Sequence, residues 1–347
     1  MPWPATACDR RLPLLRLLAD GAFHSGEQLG RQLGVSRAAV HKQIQGLAEL
    51  GLDCHAVHGR GYRLTQPLAL LAPDSWPVVP TDVALALSLD STNAALMRQR
   101  RQLATGFVLL AEHQSAGRGR RGRQWVSPAA SNLYLSLLWR FEQGLEAVLG
   151  LSQAVALACH DALVAAGACD LTLKWPNDLL WQGRKLGGIL IELSGQPGEP
   201  TDVIIGVGIN VQMRPELAIA IDQPWCTLEQ ILGRAPDRLH RTGQPDPRHP
   251  ARREGTQVFP RAARNDVPLR AVGHIQQAVV GKETQEETQR KGAHVSQGGR
   301  PDGRPHGQYV VTGEIVAELP QLQEISQGRF AATAVAPKLG QPGAGLP

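Results

Sequence analysis

The sequence predicts an α+β protein in which a small helical part precedes a mixed β-sheet with interleaved helices. In residues 1–66, leucines recur at helical spacing and helix-capping signals follow one another. In residues 81–229, apolar runs typical of strands alternate irregularly with helical stretches, which favours a mixed sheet over a regular parallel one. Residues 67–80 contain four prolines and predict a stiff, extended linker that does not pack against either part.

Composition excludes several classes of protein. Of 347 residues, 42% are hydrophobic, yet no stretch reaches the roughly 20 apolar residues of a membrane span. The early apolar run at 12–19 contains Pro13 and Arg16, so we expect no secretory signal and a cytoplasmic protein. The five cysteines are odd in number and form no Cys-x-x-Cys pair, which argues against a disulfide framework or a zinc site.

Three helices and a short hairpin are predicted at the N-terminal end. The leucines of residues 12–18 mark the first helix, Ser25 with Gln28 opens the second, and Ser36 caps a third that stops at Gly51. Strands at 53–57 and 62–65 then flank a loop with two glycines. This order is typical of a winged helix-turn-helix.

The third helix and the wing contain polar and basic side chains that favour DNA binding, and the segment holds eight basic against five acidic residues. The alternative is a helix-turn-helix that contacts protein. The candidate DNA-binding residues are Ser36, Arg37, His41, Lys42, Gln45, Arg60 and Arg63.

The second part is predicted to contain six strands and two helices. Strands are expected at Val83–Leu89, 107–112, 132–141, 171–175, 187–193 and 203–211, and helices from Thr92 and over 145–166.

Residues 230–347 differ in composition from the rest of the chain. They contain 12 of the 25 prolines, no tryptophan and all the net positive charge, so we expect a disordered tail with at most a strand at 310–319. A shifted reading frame is a second explanation for so abrupt a change, which sequencing across codon 230 would test.

Residues 114–125 form an arginine- and glycine-rich segment after a predicted strand. Gly117, Gly119 and Gly122 match a G-x-G-x-x-G pattern, but the following Pro128 and strand leave no room for the helix that a dinucleotide site requires. The guanidinium groups suit carboxylate and phosphate oxygens, and we expect the loop to order around an anionic ligand. A loop for RNA or DNA is the alternative.

Three other clusters accompany this loop. Residues 90–93 place hydroxyls at a helix N-terminus, residues 174–178 (Lys-Trp-Pro-Asn-Asp) end a strand, and residues 184–190 bring one lysine to a glycine-containing apolar strand. In this order, over residues 10–229, the clusters and the helix-turn-helix resemble the bifunctional bacterial biotin–protein ligases that also repress the biotin operon.

The resemblance implies a class II synthetase-like catalytic core that condenses biotin and ATP to biotinyl-5′-adenylate, with Mg²⁺, and transfers biotin to a lysine of a carboxylase carrier domain. It also implies operator DNA as a partner and a homodimer in the liganded state. The family's C-terminal SH3-like barrel is not recognisable after residue 229. A biotin-sensing DNA-binding regulator without ligase activity, and a plain nucleic-acid-binding protein, are the alternatives.

The resemblance also assigns roles to individual residues. The catalytic residues would be Lys185, Arg120 and Asp178. Biotin binding falls to Ser91, Thr92, Asn93, Gln114, Arg118, Gly119, Arg120 and Lys185. Contacts to ATP or the adenylate fall to Arg121, Arg123, Trp125, Lys174, Asn177 and Asn210. No metal ligand is assigned.

Overall fold

The computed structural model describes residues 11–71, 82–142, 144, 148–196, 199–234, 273–276 and 278–279. Within these residues, none of the helices combines the length and apolar character that crossing a membrane demands.

The N-terminal part has the predicted helix and hairpin order. Its elements are α1 (Arg11–Leu18), α2 (Gly26–Leu33), α3 (Arg37–Gln45), β1 (Cys54–Val57) and β2 (Gly61–Leu64). The Ser25 hydroxyl accepts from the Gln28 N–H and caps α2, and the Ser36 hydroxyl accepts from the Ala39 N–H and caps α3. The third helix ends earlier than expected, because a separate 3₁₀ turn, Ala48–Leu50, precedes Gly51.

The second part is a mixed sheet, as predicted, but it has seven strands and not six. Its strands are β3 (Val83–Leu89), β4 (Val108–Gln114), β5 (Leu133–Phe141), β6 (Leu171–Lys174), β7 (Asp178–Trp181), β8 (Arg184–Ser194) and β9 (Thr201–Ile209). Their order across the sheet is β3-β4-β5-β9-β8-β7-β6, in which β3 and β4 are parallel and every other pair is antiparallel.

The helices named for this part of the described chain are α4 (Thr92–Gln99), α5 (Leu151–Ala165) and α6 (Leu228–Leu232). The expected start of α5 at residue 145 is wrong, because Gly150 adopts a left-handed conformation (φ 76°) that ends the preceding turn. Strand β7 was not predicted. It is short, and its sequence follows a proline and an asparagine that indicate a turn rather than a strand.

Two segments expected to remain unpacked contribute to the core. In the linker, Leu70 and Leu71 are buried, and the Leu71 N–H donates to the Glu112 carboxylate. Leu70 joins the helix-turn-helix core together with Leu87 of β3, so one apolar cluster connects the two parts. The prediction of an unpacked linker is therefore wrong for these residues, and residues 72–80 lie outside the described residues.

Several residues beyond the expected start of the tail are helical. Helix α6 crosses the expected boundary at residue 230, and residues 273–276 and 278–279 are helical. Ile275 and Val279 are buried in the main core of the sheet, where apolar burial offsets the entropy cost of ordering. The expected strand at 310–319 lies outside the described residues.

Candidate active site

A polar cavity of about 330 Å³ lies where β4, β8, β9 and the N-terminus of α4 meet. It is rimmed by the arginine loop, defined here as residues 117–125, and by the segment 174–178. The predicted residues that line it are Ser91, Thr92, Asn93, Gln114, Arg118, Gly119, Arg120, Arg121, Arg123, Trp125, Lys174, Asn177, Asp178 and Lys185. The fold therefore brings together four clusters that are spread between residues 90 and 190 of the sequence.

The arginine loop is a short hairpin. It does not begin an α-helix, which agrees with the prediction from the sequence. The Trp125 N–H donates to the Gly117 carbonyl at 2.9 Å, and the Gly119 N–H donates to the Arg123 carbonyl at 2.7 Å. A Cβ on Gly117 would lie 2.3 Å from the Trp125 carbonyl oxygen, so only glycine permits this approach. Ordering of the loop by a ligand remains a prediction.

Two consecutive residues hold two cations in the cavity. Arg120 Nη1 donates to Asn177 Oδ1 at 2.9 Å, and Lys185 Nζ lies 2.8 Å from Asp178 Oδ1. Asn177 is itself fixed, because its amide nitrogen donates to the Ile189 carbonyl and its own carbonyl accepts from the Ile189 N–H. Both cations are thus oriented toward one space, where they can neutralise carboxylate and phosphate oxygens.

Asn210 does not line the cavity. It is buried, and its side-chain amide donates to the Lys185 carbonyl at 3.3 Å while its backbone N–H donates to the Leu186 carbonyl. In the described structure it supports the backbone of Lys185 from beneath.

The N-terminus of α4 supplies neutral hydrogen-bonding groups. The Gln114 carbonyl Oε1 accepts from the Thr92 N–H at 2.8 Å and from its hydroxyl at 3.2 Å. Gln114 Nε2 donates to the Ser127 hydroxyl, which leaves one amide proton for the cavity. Ser91 caps α4 as an acceptor, so its hydroxyl proton can be donated to a ligand.

The turn before α4 is held by an ion pair. Both guanidinium nitrogens of Arg98 donate to Asp90, at 2.6 and 2.9 Å. These hydrogen bonds from Arg98 hold the pKa of the Asp90 carboxyl below its usual value. Asp90 also accepts from the Ser91 N–H and so fixes the residue that caps α4.

Sequence reasoning missed two glycines that shape the floor of the cavity. A Cβ on Gly206 would lie 2.2 Å from Asn93 Oδ1, and a Cβ on Gly208 would lie 2.6 Å from the Trp125 ring. Their alternation within β9 was a usable signal, since glycine in a strand interior often marks a close approach. Lys185 Nζ lies 5.5 Å from the centroid of the same Trp125 ring, so indole and ammonium face each other across the cavity.

Ser136 and Glu192 were also missed. Ser136 is fully buried on β5, with its hydroxyl 2.7 Å from Thr92 Oγ1 and 2.5 Å from Asn93 Oδ1. Glu192 on β8 pairs with Arg118 at 3.0 Å. A glutamate within an apolar strand signals a partner, but the sequence does not identify it.

The candidate DNA interface is exposed on α3. Arg37, His41, Lys42 and Gln45 are exposed there, and His41 Nδ1 lies 3.2 Å from the Tyr62 hydroxyl of the wing. This contact ties the recognition helix to β2.

The wing arginines have an additional contact that the sequence did not predict. The Arg60 and Arg63 guanidinium groups lie 4.1 and 4.8 Å from the centroid of the Phe23 ring. Arg60 remains exposed, whereas Arg63 is half-buried against the ring, so only Arg60 combines this packing with full access to a DNA backbone.

The described residues contain no group of three or more histidine, cysteine, aspartate or glutamate side chains that could hold a metal ion. The four cysteines among them are unpaired, and burial raises the pKa of the Cys159 thiol to about 12, which keeps it an inert thiol.

Known protein families match both parts of the chain, the helix-turn-helix and the mixed sheet. A model of the biotin/lipoate A/B protein ligase family matches residues 85–210, and a model described as an HTH domain matches residues 10–63. A bifunctional ligase/repressor from Salmonella typhimurium is 47% identical over 221 residues, which cover 63% of this chain and 69% of that protein. Its Escherichia coli counterpart is 46% identical over the same shares of the two chains.

Proteins without the repressor description also match the second part. A biotin–[acetyl-CoA-carboxylase] ligase from Paracoccus denitrificans is 44% identical over 129 residues, which cover 37% of this chain and 53% of that protein. Among solved structures, a biotin protein ligase from Aquifex aeolicus in complex with biotin and ATP matches with a TM-score of 0.42 and 28% identity, covering 61% of this chain and 76% of that chain.

Proposed function

The chain belongs to the family of bifunctional biotin ligase/repressors, and we propose that it joins biotin to ATP, transfers biotin to a carrier-domain lysine of a carboxylase, and represses transcription through its helix-turn-helix. One observation supports the ligase activity above all. The cavity combines two oriented cations, Lys185 and Arg120, with the neutral donors of Ser91 and Gln114. A ligand with an anionic end and a neutral, polar head group matches that distribution.

In the first half-reaction, a biotin carboxylate oxygen attacks the α-phosphorus of ATP, and the bond from that phosphorus to the pyrophosphate oxygen breaks. Two anions must approach each other for this step, and negative charge shifts onto the leaving pyrophosphate. Lys185 and Arg120 offset the repulsion because Asp178 and Asn177 fix their positions before the substrates arrive. Arg121, Arg123 and Lys174 are exposed on the rim, where they can contact the outer phosphates.

In the second half-reaction, the carrier lysine amine attacks the biotinyl carbonyl carbon. An amide bond forms, the bond from that carbon to the AMP oxygen breaks, and the attacking nitrogen releases a proton to water. Asp178 lines the cavity, and while its Oδ1 pairs with Lys185, its Oδ2 can orient the incoming amino group. Trp125 offers its ring to the nucleotide base, since the missing side chain of Gly208 leaves the indole flat on the sheet.

Mg²⁺ is part of the proposal and fits the cavity only as a partner of the nucleotide. Asp178 is the single acidic side chain that lines the cavity within the described residues. Mg²⁺ commonly uses one or two carboxylates together with substrate phosphates and water. Asp178 would therefore supply a protein oxygen, and the metal would neutralise phosphate charge.

Repression is proposed to follow from the exposed basic face of α3 and from dimer formation in the liganded state. A dimer presents two recognition helices to a two-fold operator, with half-sites about one helical turn apart. Strands β3 and β6 are the edges of the seven-stranded sheet in the described residues, and an edge strand is a surface on which a second copy can pair.

Biotin-dependent exchange of labelled pyrophosphate into ATP tests this function directly, because it requires neither a carrier protein nor DNA. We expect exchange above a control without biotin. Absence of exchange in a protein that still binds biotin would contradict the ligase activity and favour a biotin-sensing regulator. Absence of both exchange and biotin binding would contradict the proposal for the whole cavity.

A further inference from the structure

Glu192 contacts two parts of the cavity wall at the same time. Its Oε1 lies 3.0 Å from Arg118 Nη2 in the arginine loop, and its Oε2 accepts from Asn93 Nδ2 at 2.9 Å. Asn93 is 99 residues away in sequence, at the N-terminus of α4. One carboxylate therefore joins β8, α4 and the arginine loop.

Asn93 is held rigidly by this arrangement. Its two amide protons are donated to the Leu190 carbonyl and to Glu192, and its Oδ1 lies 2.5 Å from the buried Ser136 hydroxyl. The absence of a side chain at Gly206 lets the carboxamide lie against β9. With both amide protons engaged, Asn93 serves as a fixed support for Glu192 more than as a donor to a ligand.

Arg118 belongs to the same unit. Its side chain is 49% exposed, whereas that of Glu192 is only 20% exposed. Glu192 is thus the more buried, anchored side chain of the pair, and Arg118 is the more exposed side chain that it holds. A carboxylate fixed by a second hydrogen bond loses less side-chain entropy when it forms an ion pair, so this pair orders the loop more effectively than two free surface charges would.

We propose that Glu192 is a positioning residue that fastens the arginine loop to the wall of the cavity through Arg118. The inference rests on the proposed function, because the loop it fastens is the one assigned to biotin and phosphate. Glu192 acts before ligand binding: it reduces the number of loop conformations and so lowers the entropy cost of closing the loop on biotin. Without it, the Arg118 side chain samples more positions, whereas Arg120 is still held by Asn177.

The first test is limited trypsin digestion of the protein without ligand. In Glu192→Gln one oxygen becomes an amide NH2, so the side chain can no longer accept from both Asn93 and Arg118, and the negative charge that attracts Arg118 is lost. We expect cleavage after Arg121 and Arg123 to become several times faster in this variant. Glu49→Gln, which removes an ion pair with Arg11 in the helix-turn-helix, is the matched control and should cleave at the wild-type rate.

The second test is biotin affinity, followed by intrinsic tryptophan fluorescence, and the Michaelis constants of pyrophosphate exchange. Glu192→Gln should weaken biotin binding and raise the KM for biotin by roughly tenfold, with kcat and the KM for ATP changed by less than about twofold. A variant that loses structure generally would change all three constants.

A double-mutant cycle separates action through Arg118 from independent effects. If Glu192 acts through Arg118, Arg118→Gln and the double variant should weaken biotin binding about as much as Glu192→Gln does. Additive losses, or wild-type cleavage and affinity in Glu192→Gln, would overturn the inference. Should Glu192→Gln not fold, Arg118→Gln alone must still show faster cleavage after Arg121 and Arg123. A wild-type protein that binds no biotin would contradict the proposed function, while the digestion would still decide on the fastening.

Discussion

Lys185 Nζ lies 2.8 Å from Asp178 Oδ1, and both side chains are largely buried, at 16% and 19% exposure. The pair spans the antiparallel neighbours β7 and β8: Asp178 pairs with Gly188 and Leu180 with Lys185, so the lysine side chain reaches along the sheet to the carboxylate. Asn177, the residue before Asp178, accepts a hydrogen bond from Arg120. A single dipeptide therefore positions the two cations that face the reacting oxygens.

Removal of the lysine should affect the first half-reaction most. We predict that Lys185→Ala lowers the rate of biotin-dependent pyrophosphate exchange on the order of 10²-fold or more, because a fixed cation in a half-buried site stabilises the charge of the transition state. Arg101→Ala removes an exposed cation that does not line the cavity and serves as the control. Wild-type exchange in Lys185→Ala would refute this role.

The close approach of Trp125 to β9 gives a second prediction. In Gly208→Ala the new Cβ would lie 2.6 Å from the indole, so the ring must move away from the sheet. We expect ATP affinity to fall about tenfold and the melting temperature to decrease, as overpacking commonly costs 1–3 kcal/mol. Gly273→Ala, where a Cβ meets nothing within 4 Å, should change neither quantity. Unchanged ATP affinity in Gly208→Ala would separate Trp125 from nucleotide binding.

The exposed face of α3 can be tested with duplex DNA of any sequence. Arg37→Ala should weaken binding and reduce the slope of log affinity against log salt by about one, because one phosphate contact is lost. Arg31→Ala on α2 removes a cation that pairs with Glu27 and is the matched control. Equal salt slopes for wild type and Arg37→Ala would argue that this face contacts protein instead.

His113 makes stability depend on pH. Burial, with a smaller contribution from the charge of Arg11, lowers the pKa of His113 below its ordinary value of 6.5. As the pH falls through 6.5, the unfolded chain binds a proton that the folded chain does not, so this contribution destabilises the fold progressively until the folded-state pKa is passed.

The expected result is a decline in unfolding free energy as the pH falls below about 6.5, with at most about 1.4 kcal/mol per pH unit from this one group. His113→Asn should make the decline shallower, as measured by urea denaturation at several pH values. His58→Asn, in the exposed wing loop, is the control. An identical pH slope for wild type and His113→Asn would contradict the prediction.

Features encoded within a few residues of each other were predictable from the sequence. The caps at Ser25 and Ser36 rest on a hydroxyl three residues before a backbone N–H, and both form as predicted. The absence of a helix after residue 122 was likewise predicted, from Pro128 and the strand that follows, whereas the hairpin at residues 117–125 was not. The start of α5 was not predictable, since the positive φ of Gly150 depends on the turn that precedes it.

The sequence by itself determined the order of the elements, the clustering of cations in one loop and the family of the protein. Only the tertiary structure decided which partner each charged side chain has: Asp178 for Lys185, and Glu192 for Arg118. It also placed Asn93 between Glu192 and Gly206. The tail residues Ile275 and Val279 likewise became core residues only through packing. The physical reason is that periodicity and capping act over one or two turns, whereas strand register and burial join residues about 100 positions apart.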